Sequence, residues 1–353
     1  SYSGLTRRFS RRSILGWGNI LFGSAMAAQG LASAFPAFAV ANILSFVGAS
    51  QQHPVGNGLI AEQYAPERRG FAISAHIAGG NVGTVAVPLI GAWLIAGVGW
   101  RWTLVLLGIP TVLIALAIVA LVRESGSDRA AAVASGRVRD AFRVVARDRD
   151  LRWLYLSSVL GGGGRGLGVV NVFVPLYLAQ VLALPAATVA LMYAVLVAFS
   201  VPAPLVAGWL SDRLGRKPLI VGVYVAGAGA FVVLILAGPN LAALWLGILL
   251  LGVFNFAESP QLQALLADIA PPAIRDASYS AYFTLAFGVG ALWVALYGLV
   301  IDALGPDTGL PVVFGLMAIA FLLAALAVLP IHADQRVAAT RALEAEASAT
   351  PAD

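Results

Sequence analysis

Cysteine is absent from this chain of 353 residues, and charged residues are scarce. Without thiols, disulfide bonds and thiolate metal sites are excluded. Asp, Glu, Lys and Arg together make up 11% of the residues, whereas an average soluble domain contains about 25%. The chain also lacks the motifs G-x-x-x-x-G-K-[ST], H-E-x-x-H and G-x-S-x-G. These absences argue against an ATP-driven pump and against an enzyme, and we expect no cofactor or metal ion.

Long apolar runs dominate what is present. Hydrophobic residues make up 60% of the chain, which is more than a soluble core could bury. Runs of roughly 20 apolar residues, enough to cross a hydrocarbon layer about 30 Å thick, recur along the sequence. The chain is therefore predicted to be an all-α, polytopic membrane protein with about ten helices. These helices are predicted at 13–34, 37–63, 71–96, 101–122, 153–181, 186–210, 218–237, 241–267, 277–302 and 310–330.

Basic residues fall in the short gaps between the apolar runs. If the first gap is cytoplasmic, all but two of the 22 Lys and Arg residues lie on the inner side, as the positive-inside rule requires. The exceptions are Arg101, in an opposite-side gap, and Arg165, within a predicted span. This topology predicts a protein of the cell inner membrane with a cytoplasmic C-terminus. It also accounts for the net charge of +5, so we expect membrane lipid and no nucleic acid as a partner.

The longest polar stretch, Arg123–Asp150, separates two groups of apolar runs. Val138, Phe142 and Val145 recur at helical spacing, which indicates either an amphipathic helix on the inner membrane surface or a solvated spacer. The residues after Pro330 have a composition typical of disorder. We predict an incomplete N-terminal helix bundle at 1–122, a cytoplasmic linker at 123–152, a C-terminal six-helix bundle at 153–330 and a cytoplasmic tail at 331–353.

The sequence repeats itself at a spacing of just over 200 residues. Arg-Arg-Phe-Ser-Arg-Arg at 7–12 aligns with Asp-Arg-Leu-Gly-Arg-Lys at 212–217. Five more positions match at a displacement of 206: Pro54, Glu62, Pro66, Arg69 and Ser74 align with Pro260, Asp268, Pro272, Arg275 and Ser280. Two homologous halves joined by a basic linker are the organisation expected of many transporters.

The second copy contains a loop motif that points to one family. The run Gly208-Trp-Leu-Ser-Asp212-Arg213-Leu-Gly215-Arg216-Lys217 resembles the loop signature of the major facilitator superfamily. In that family the signature joins helices two and three, and helices eight and nine. The resemblance implies a two-bundle fold in which the ten apolar runs are helices three to twelve. It also implies that helix one and most of helix two are missing, as in an N-terminally truncated member.

The loop motif also suggests how its residues act. Gly208 would allow close helix approach, and Asp212 would pair with a basic residue or a helix N-terminus. The arginines would anchor the inner interface. The first copy departs from the motif, because Arg7 stands where the acidic residue would be and Ser10 where the glycine would be. We expect a weaker inner-gate pairing in the N-terminal half.

Two further resemblances concern antiport and efflux. Gly79-Gly80-Asn81-Val82-Gly83, followed by Pro88 and Gly91, resembles the fifth-helix motif of the family's antiporters. Val87 replaces the glycine that precedes the proline in that motif, so antiport is favoured only mildly. Gln51-Gln52-His53-Pro54 with the same glycine-rich segment resembles the fosmidomycin-resistance type of efflux proteins.

Polar side chains at membrane depth are the best pointers to a site, because each costs about 2.5 to 3.5 kcal/mol on insertion scales. Arg165 lies about 18 Å from the inner end of its helix and Glu258 about 15 Å from the inner end of another. We predict that they face one cavity, with Glu258 binding a proton or cation. Arg165 would be its charge partner or an anchor for an anionic solute. The structural alternative is an ion pair that locks two helices.

Other polar residues are secondary candidates. His53, also about 15 Å deep, is either a coupling residue or a hydrogen-bonded histidine beside a proline kink. Gln52 aligns with Glu258 in the repeat, which favours the functional interpretation. Asn171, Asn255, Gln261 and Gln263 are candidate donors to a solute, although interhelical hydrogen bonds would explain each of them equally well. His76 is expected to support packing or the inner gate.

The glycine-rich run at 161–168 contains a match to G-x-G-x-x-G. It follows the start of a membrane helix and not a β-strand, so a nucleotide site is not expected. The glycines instead predict a helix that bends beside Arg165 or packs closely on a neighbour, with Gly162 and Gly166, or Gly164 and Gly168, at GxxxG spacing.

Together these features predict a secondary transporter that moves a small organic solute by alternating access, driven by a proton or another coupling ion. Efflux is the favoured direction. The alternatives are proton-coupled uptake of an organic anion held by Arg165 and a non-transporting membrane sensor or scaffold.

Overall fold

The computed structural model describes residues 5, 8–122, 143, 146–271 and 274–332. The described chain is helical, and all ten predicted helices are present as helical segments. The predicted linker helix and the tail lie outside the described residues. Seven of the described helices are long and apolar enough to span a membrane. Large apolar side chains such as Leu236 and Leu299 are exposed on them, which suits contact with lipid.

The first repeat contains four helices. They are α1 (Arg11–Leu31), α2 (Phe35–Ala49), α3 (Gln52–Gln63) and α4 (Pro66–Leu121). Gly99 interrupts α4 with φ 77° and ψ 163°, so α4 comprises two of the predicted helices. Positive φ is strained for residues with a side chain, which explains the glycine at this reversal.

The second repeat begins with a discontinuous helix. It consists of α5 (Arg149–Gly161), a 3-10 turn (Gly162–Gly164), a π-helical turn (Gly166–Val170), α6 (Asn171–Leu176) and a second π-helical turn (Tyr177–Val181). The remaining helices are α7 (Ala186–Ala198), α8 (Pro202–Leu214), α9 (Arg216–Ala237), α10 (Leu241–Asn255), α11 (Glu258–Ile269), α12 (Arg275–Leu304) and α13 (Pro306–Val328).

The two repeats have matching helix bounds. The broken pair α2 and α3 recurs as α10 and α11, with each of the four bounds displaced by 206 residues. Gly305, at the corresponding displacement from Gly99, has nearly the same backbone angles, φ 75° and ψ 159°. The predicted internal repeat is therefore visible in the backbone itself.

Contacts group the chain into two compact units. One unit contains Ser1–Gln63, Ala86–Phe142 and Pro271–Ala281, and α1 packs on α2 within it. The other contains Tyr64–Val85, Arg143–Ala270 and Tyr282–Asp353, and there α9 packs on α10 and α13, while α13 also packs on α5. Each unit combines segments of both repeats. The predicted bundles at 1–122 and 153–330 stay a prediction.

Candidate functional site

The helix that carries Arg165 is broken beside that residue, as the glycine-rich run predicts. Arg165 itself is extended, with φ −66° and ψ 137°, between the 3-10 turn and the first π-helical turn. A Cβ on Gly161 would lie 2.3 Å from the Tyr224 hydroxyl, and one on Gly164 would lie 2.6 Å from the Phe321 ring. Glycine is required at both positions because two aromatic side chains pack directly on the backbone.

Carbonyl groups near the break accept hydrogen bonds from side chains. Asn255 Nδ2 donates to the Gly164 carbonyl and Tyr297 Oη to the Gly163 carbonyl, both at 2.8 Å. These donors come from α10 and α12. Unsatisfied backbone groups are costly at membrane depth, so these bonds stabilise the broken helix. Asn255, a predicted donor to the solute, uses its amide N–H for this purpose.

Arg165 and Glu258 form an ion pair within the second contact unit. Arg165 Nε lies 2.5 Å from Glu258 Oε1, and Arg165 Nη2 donates to the Ser158 carbonyl at 3.3 Å. The Glu258 side chain is fully buried, whereas 16% of the Arg165 side chain is exposed. The two residues are thus charge partners, as one of the predicted roles of Arg165 requires, and the prediction that they face one cavity stays a prediction.

Tyrosines complete the surroundings of this pair. The Tyr224 hydroxyl lies 3.4 Å from Glu258 Oε2 and 3.3 Å from the Ser157 carbonyl, so its single proton can serve only one of them at a time. Tyr282 is buried in the same unit. The Tyr155 and Tyr282 rings pack edge to face, with centroids 6.1 Å apart. The pair therefore lies in a site from which water is largely excluded.

Such a site can hold a proton and respond to it. Burying two charges costs several kcal/mol per ion, so a buried ion pair is weak evidence for stability and stronger evidence for a switch at membrane depth. A proton on Glu258 would neutralise the carboxylate and leave the guanidinium of Arg165 available to another acceptor.

The first repeat has a neutral counterpart of the Glu258–Tyr224 contact, within the other contact unit. Gln52 begins α3 as Glu258 begins α11, and Asn19 Nδ2 donates to Gln52 Oε1 at 3.0 Å. Asn19 corresponds to Tyr224 at the displacement of 205 that aligns the loop motifs. His53 follows Gln52 in α3 and is half-buried, and its proposed coupling role stays a prediction.

Several predicted polar residues bond within the protein. Gln261 Nε2 donates to Ser74 Oγ at 3.0 Å, and Gln263 Nε2 donates to Ser259 Oγ at the same distance. Asn81 Nδ2 donates at 2.8 Å to the Ser200 carbonyl, between α7 and α8. Gln261 thus joins α11 to α4 and Asn81 joins α4 to the break between α7 and α8, whereas Gln263 bonds within α11.

The remaining candidates are placed by the helices that contain them. Asn171 is half-buried at the start of α6, and its Oδ1 has no hydrogen-bond partner in the described part of the chain. Gly83, Pro88 and the half-buried His76 lie in α4. Their roles stay predictions.

The loop motif forms an ionic cluster with the start of α4. Asp212 accepts from the Gly70 N–H at 3.1 Å and the Phe71 N–H at 2.9 Å, and it also pairs with Arg216. Arg216 Nε donates to Asp268 Oδ2 at 3.0 Å, and Arg69 Nη1 donates to Asp268 Oδ1 at 2.8 Å. Asp212 thus meets both of the partners predicted for it, a basic residue and a helix N-terminus.

The other motif residues fix the backbone and its neighbours. A Cβ on Gly208 would lie 2.6 Å from Ser74 Oγ, which confirms the predicted close approach. Gly215 has φ 94° between α8 and α9. Arg213 lies over the Trp209 ring, 3.8 Å from its centroid. Lys217 Nζ donates to the carbonyls of Leu329 and Ile331, the latter at 3.2 Å.

A second ionic cluster surrounds Arg11. Its side chain is almost completely buried, donates to Asp276 Oδ2 from Nε at 3.1 Å and from Nη2 at 2.8 Å, and also pairs with Glu62. The expectation of weaker pairing in the N-terminal half stays a prediction. Although Arg7 replaces the motif acid, Arg11 has two carboxylate partners, one of which comes from α12.

A comparison with known proteins now decides the family. The family model described as Major Facilitator Superfamily matches residues 2–295. The chain belongs to the major facilitator superfamily. It is accordingly a multi-pass membrane transporter, because the family and its fold are those of membrane transporters and not of enzymes.

Individual relatives agree with this assignment. The MFS-type transporter YtbD of Bacillus subtilis, which is described as uncharacterised, is 28% identical over 85% of this chain and 75% of its own length. A Na(+), Li(+), K(+)/H(+) antiporter of Planococcus maritimus is 32% identical over 28% of this chain and 25% of its own. The fold resembles that of the E. coli fucose:proton symporter, with a TM-score of 0.75 and 16% identity over 92% of this chain and 85% of that one.

Four residues of this superfamily member were not singled out from its sequence as partners of the site. They are Asn19, Tyr224, Asp276 and Glu62. The repeat contained a signal for three of them, because Asn19 aligns with Tyr224 and Glu62 aligns with Asp268. Asp276 aligns with Gly70, so its role could not be obtained from the alignment alone.

Proposed function

We propose that this chain is a proton-coupled secondary transporter that exports a small organic solute across the cell inner membrane. The observation that carries the proposal is the buried Arg165–Glu258 pair beside the break in the discontinuous helix. Ionisable residues are costly at membrane depth, so a fully buried carboxylate, an unwound helix and a tyrosine hydroxyl at one point support a functional role.

In this mechanism Glu258 carries the proton. When its carboxylate is charged, Arg165 is held by it. When a proton binds, the attraction is lost and the guanidinium is free to move with the flexible segment around Gly164 and Gly166. Solute and proton would then occupy the site alternately, which couples their movements in opposite directions.

The direction of transport and the orientation of the chain in the membrane are supported by observations other than the Arg165–Glu258 pair. The basic residues favour an inner-membrane protein with its C-terminus in the cytoplasm. The ionic cluster around Arg11 and the ionic cluster around Arg216 would then each lie on the cytoplasmic side, where each would contribute to the inner gate. Export is favoured by the glycine-rich segment around Asn81 and by the partial similarity to a cation/proton antiporter.

The test is solute flux in proteoliposomes that contain the gene product carrying this chain. A panel of small organic solutes is offered with and without an imposed pH gradient. We expect Glu258→Gln to abolish gradient-driven flux while exchange of solute for solute persists. Asp307→Asn removes an exposed carboxylate at the start of α13 and serves as the matched control. Unchanged pH dependence in Glu258→Gln would contradict the mechanism.

Uptake of an organic anion is the second candidate. It is favoured by the exposure of the pair, because Arg165 is partly exposed whereas Glu258 is not. A proton on Glu258 would release Arg165 to an anionic solute, so proton and anion would travel together. Accumulation of an anion that is driven by an inward proton gradient and is lost in Arg165→Gln would favour uptake. No gradient-dependent flux of any solute would favour the sensor or scaffold.

A further inference from the structure

The two ionic clusters differ in the origin of one carboxylate. In the second repeat this carboxylate is Asp212 of the loop motif. It pairs with Arg216 and accepts hydrogen bonds from the Gly70 and Phe71 N–H groups at the start of α4. One side chain therefore fixes the arginine and caps a helix whose N-terminus attracts negative charge.

The first repeat has no acid at the corresponding loop position, because the sequence places Arg7 there. Arg11 nevertheless corresponds to Arg216 and is almost completely buried. It donates two hydrogen bonds to Asp276 Oδ2, at 3.1 and 2.8 Å. Its second carboxylate partner, Glu62, corresponds to Asp268 of the other cluster. Asp276 is thus the partner without a counterpart in the loop motif.

The position of Asp276 in the repeat explains why it has no counterpart in the loop motif. Asp276 aligns with Gly70, and the two residues lie near the N-terminus of their helices: Asp276 is the second residue of α12 and Gly70 the fifth residue of α4. A Cβ on Gly70 would lie 2.1 Å from Arg216 Nη1 and 2.7 Å from Asp212 Oδ1. In the second repeat, the loop residue Asp212 and the helix residue Gly70 face the same guanidinium, that of Arg216. Because the loop residue is the acid here, no room remains for a side chain at the helix residue.

A second glycine shows the complementary adjustment. A Cβ on Gly58 would lie 2.5 Å from Asp276 Oδ1. The corresponding residue of the second repeat is Ala264, which is fully buried and has the Cβ that Gly58 lacks. Each repeat therefore has a glycine where its own arrangement of the carboxylate leaves no space.

We propose that Asp276 is a positioning residue of the inner gate that has taken over, from the helix side, the task of the motif acid missing at position 7. It holds Arg11 as Asp212 holds Arg216. This inference uses the proposed gate, but it depends neither on proton coupling nor on any solute.

The absence of cysteine allows a direct test. Ser280 and Ser74 are buried and equivalent in the repeat, so Ser280→Cys and Ser74→Cys report opening at the two clusters. The gene product is reconstituted without solute or gradient, and a membrane-impermeant maleimide is added from the side of the clusters. Asp276→Gly should raise the labelling rate at position 280 about tenfold, because losing one partner of a buried ion pair destabilises the closed gate.

Relocating the carboxylate should restore closure. Arg7→Asp added to Asp276→Gly should return labelling to within about threefold of the starting protein, a difference below the 1.4 kcal/mol that a factor of ten represents. In the second repeat, Asp212→Gly should raise labelling at position 74, and Gly70→Asp should reverse it. Gly70→Asp alone should also raise labelling, because two acids would then crowd one arginine.

Gly58→Ala provides a test that keeps every charge. It should raise labelling at position 280 in the otherwise unchanged protein, but have no effect when Asp276→Gly is present, because the added methyl group then meets no carboxylate. Gly222→Ala is the matched control, since a Cβ there has nothing within 4 Å.

Three results would overturn the proposal, provided that the variants elute as monodisperse protein. The first is unchanged labelling in Asp276→Gly. The second is failure of both relocated carboxylates to restore closure. The third is an equal effect of Gly58→Ala with and without Asp276. None of these results bears on Glu258, so failure of the gate inference and failure of the proposed proton coupling are distinguishable.

Discussion

The two repeats have nearly the same backbone and different charges. Their broken helices have the same bounds at a displacement of 206 residues. At the break, however, Glu258 with Tyr224 occupies the second repeat, whereas Gln52 with Asn19 occupies the first. The helix break therefore does not depend on a buried charge.

This difference separates what shapes the site from what gives it chemistry. A neutral amide pair loses little on burial as long as it is hydrogen-bonded, whereas a buried carboxylate needs a counter-charge. In the second repeat Arg165 pairs with Glu258, the residue that begins the lower helix segment, whereas in the described part of the first repeat Gln52 pairs with the neutral Asn19.

The largest test of this comparison removes the charged partner of Glu258 and the neutral partner of Gln52. Arg165→Met should lower the free energy of unfolding by about 3 to 5 kcal/mol, because it leaves the Glu258 carboxylate buried without its counter-charge. Asn19→Leu should cost only about 1 kcal/mol, because it removes a neutral hydrogen bond to Gln52. Both are measured by denaturant unfolding of the purified protein in the same detergent.

The control for this prediction neutralises both members of the charged pair. Arg165→Met combined with Glu258→Gln should recover most of the lost stability, since no uncompensated charge remains. If the charged and neutral pairs cost the same to break, the electrostatic distinction between the repeats is wrong.

The ionic clusters offer a comparison with a smaller effect. Arg11 pairs with both Glu62 and Asp276, so Arg11→Gln should cost about 3 kcal/mol. Arg69→Gln should cost about 1 kcal/mol, because Asp268 keeps its bond to Arg216 at 3.0 Å. The same unfolding measurement applies. A larger loss for Arg69→Gln would mean that the second cluster depends on a contact other than the Asp268 carboxylate.

Most of the fold could be predicted from the sequence, because apolar runs and basic gaps are dictated by the membrane itself. The depths of Arg165 and Glu258 followed from helical rise alone, and the structure brings the two together. Residue spacing was less informative for amides. Asn255 and Gln261 were candidates for solute binding, yet they donate to a carbonyl freed by a helix break and to Ser74.

The arrangement around Arg11 shows why the remainder was not predicted. A motif identifies the residues expected at fixed positions, so the loss of the acid at position 7 suggested a weaker cluster. The structure supplies Asp276 from a helix more than 250 residues later in the sequence. Asp276 can replace the motif acid because it lies close to Arg11 in three dimensions, and this proximity cannot be read from the order of residues in the chain.

The smallest effect concerns the two turns, where the repeats should behave alike. Gly99 and Gly305 have φ 77° and 75°. Their ψ values, 163° and 159°, put both in a backbone region that is essentially restricted to glycine. Gly99→Ala and Gly305→Ala should therefore each cost about 1 to 3 kcal/mol. The two losses in unfolding free energy should agree within the measurement error. Gly79→Ala is the helical control, with nothing within 4 Å of the added Cβ, and should be neutral or slightly stabilising. A loss at only one turn would mean that the repeats share helix bounds without sharing backbone strain, and it would confine their equivalence to the broken helices.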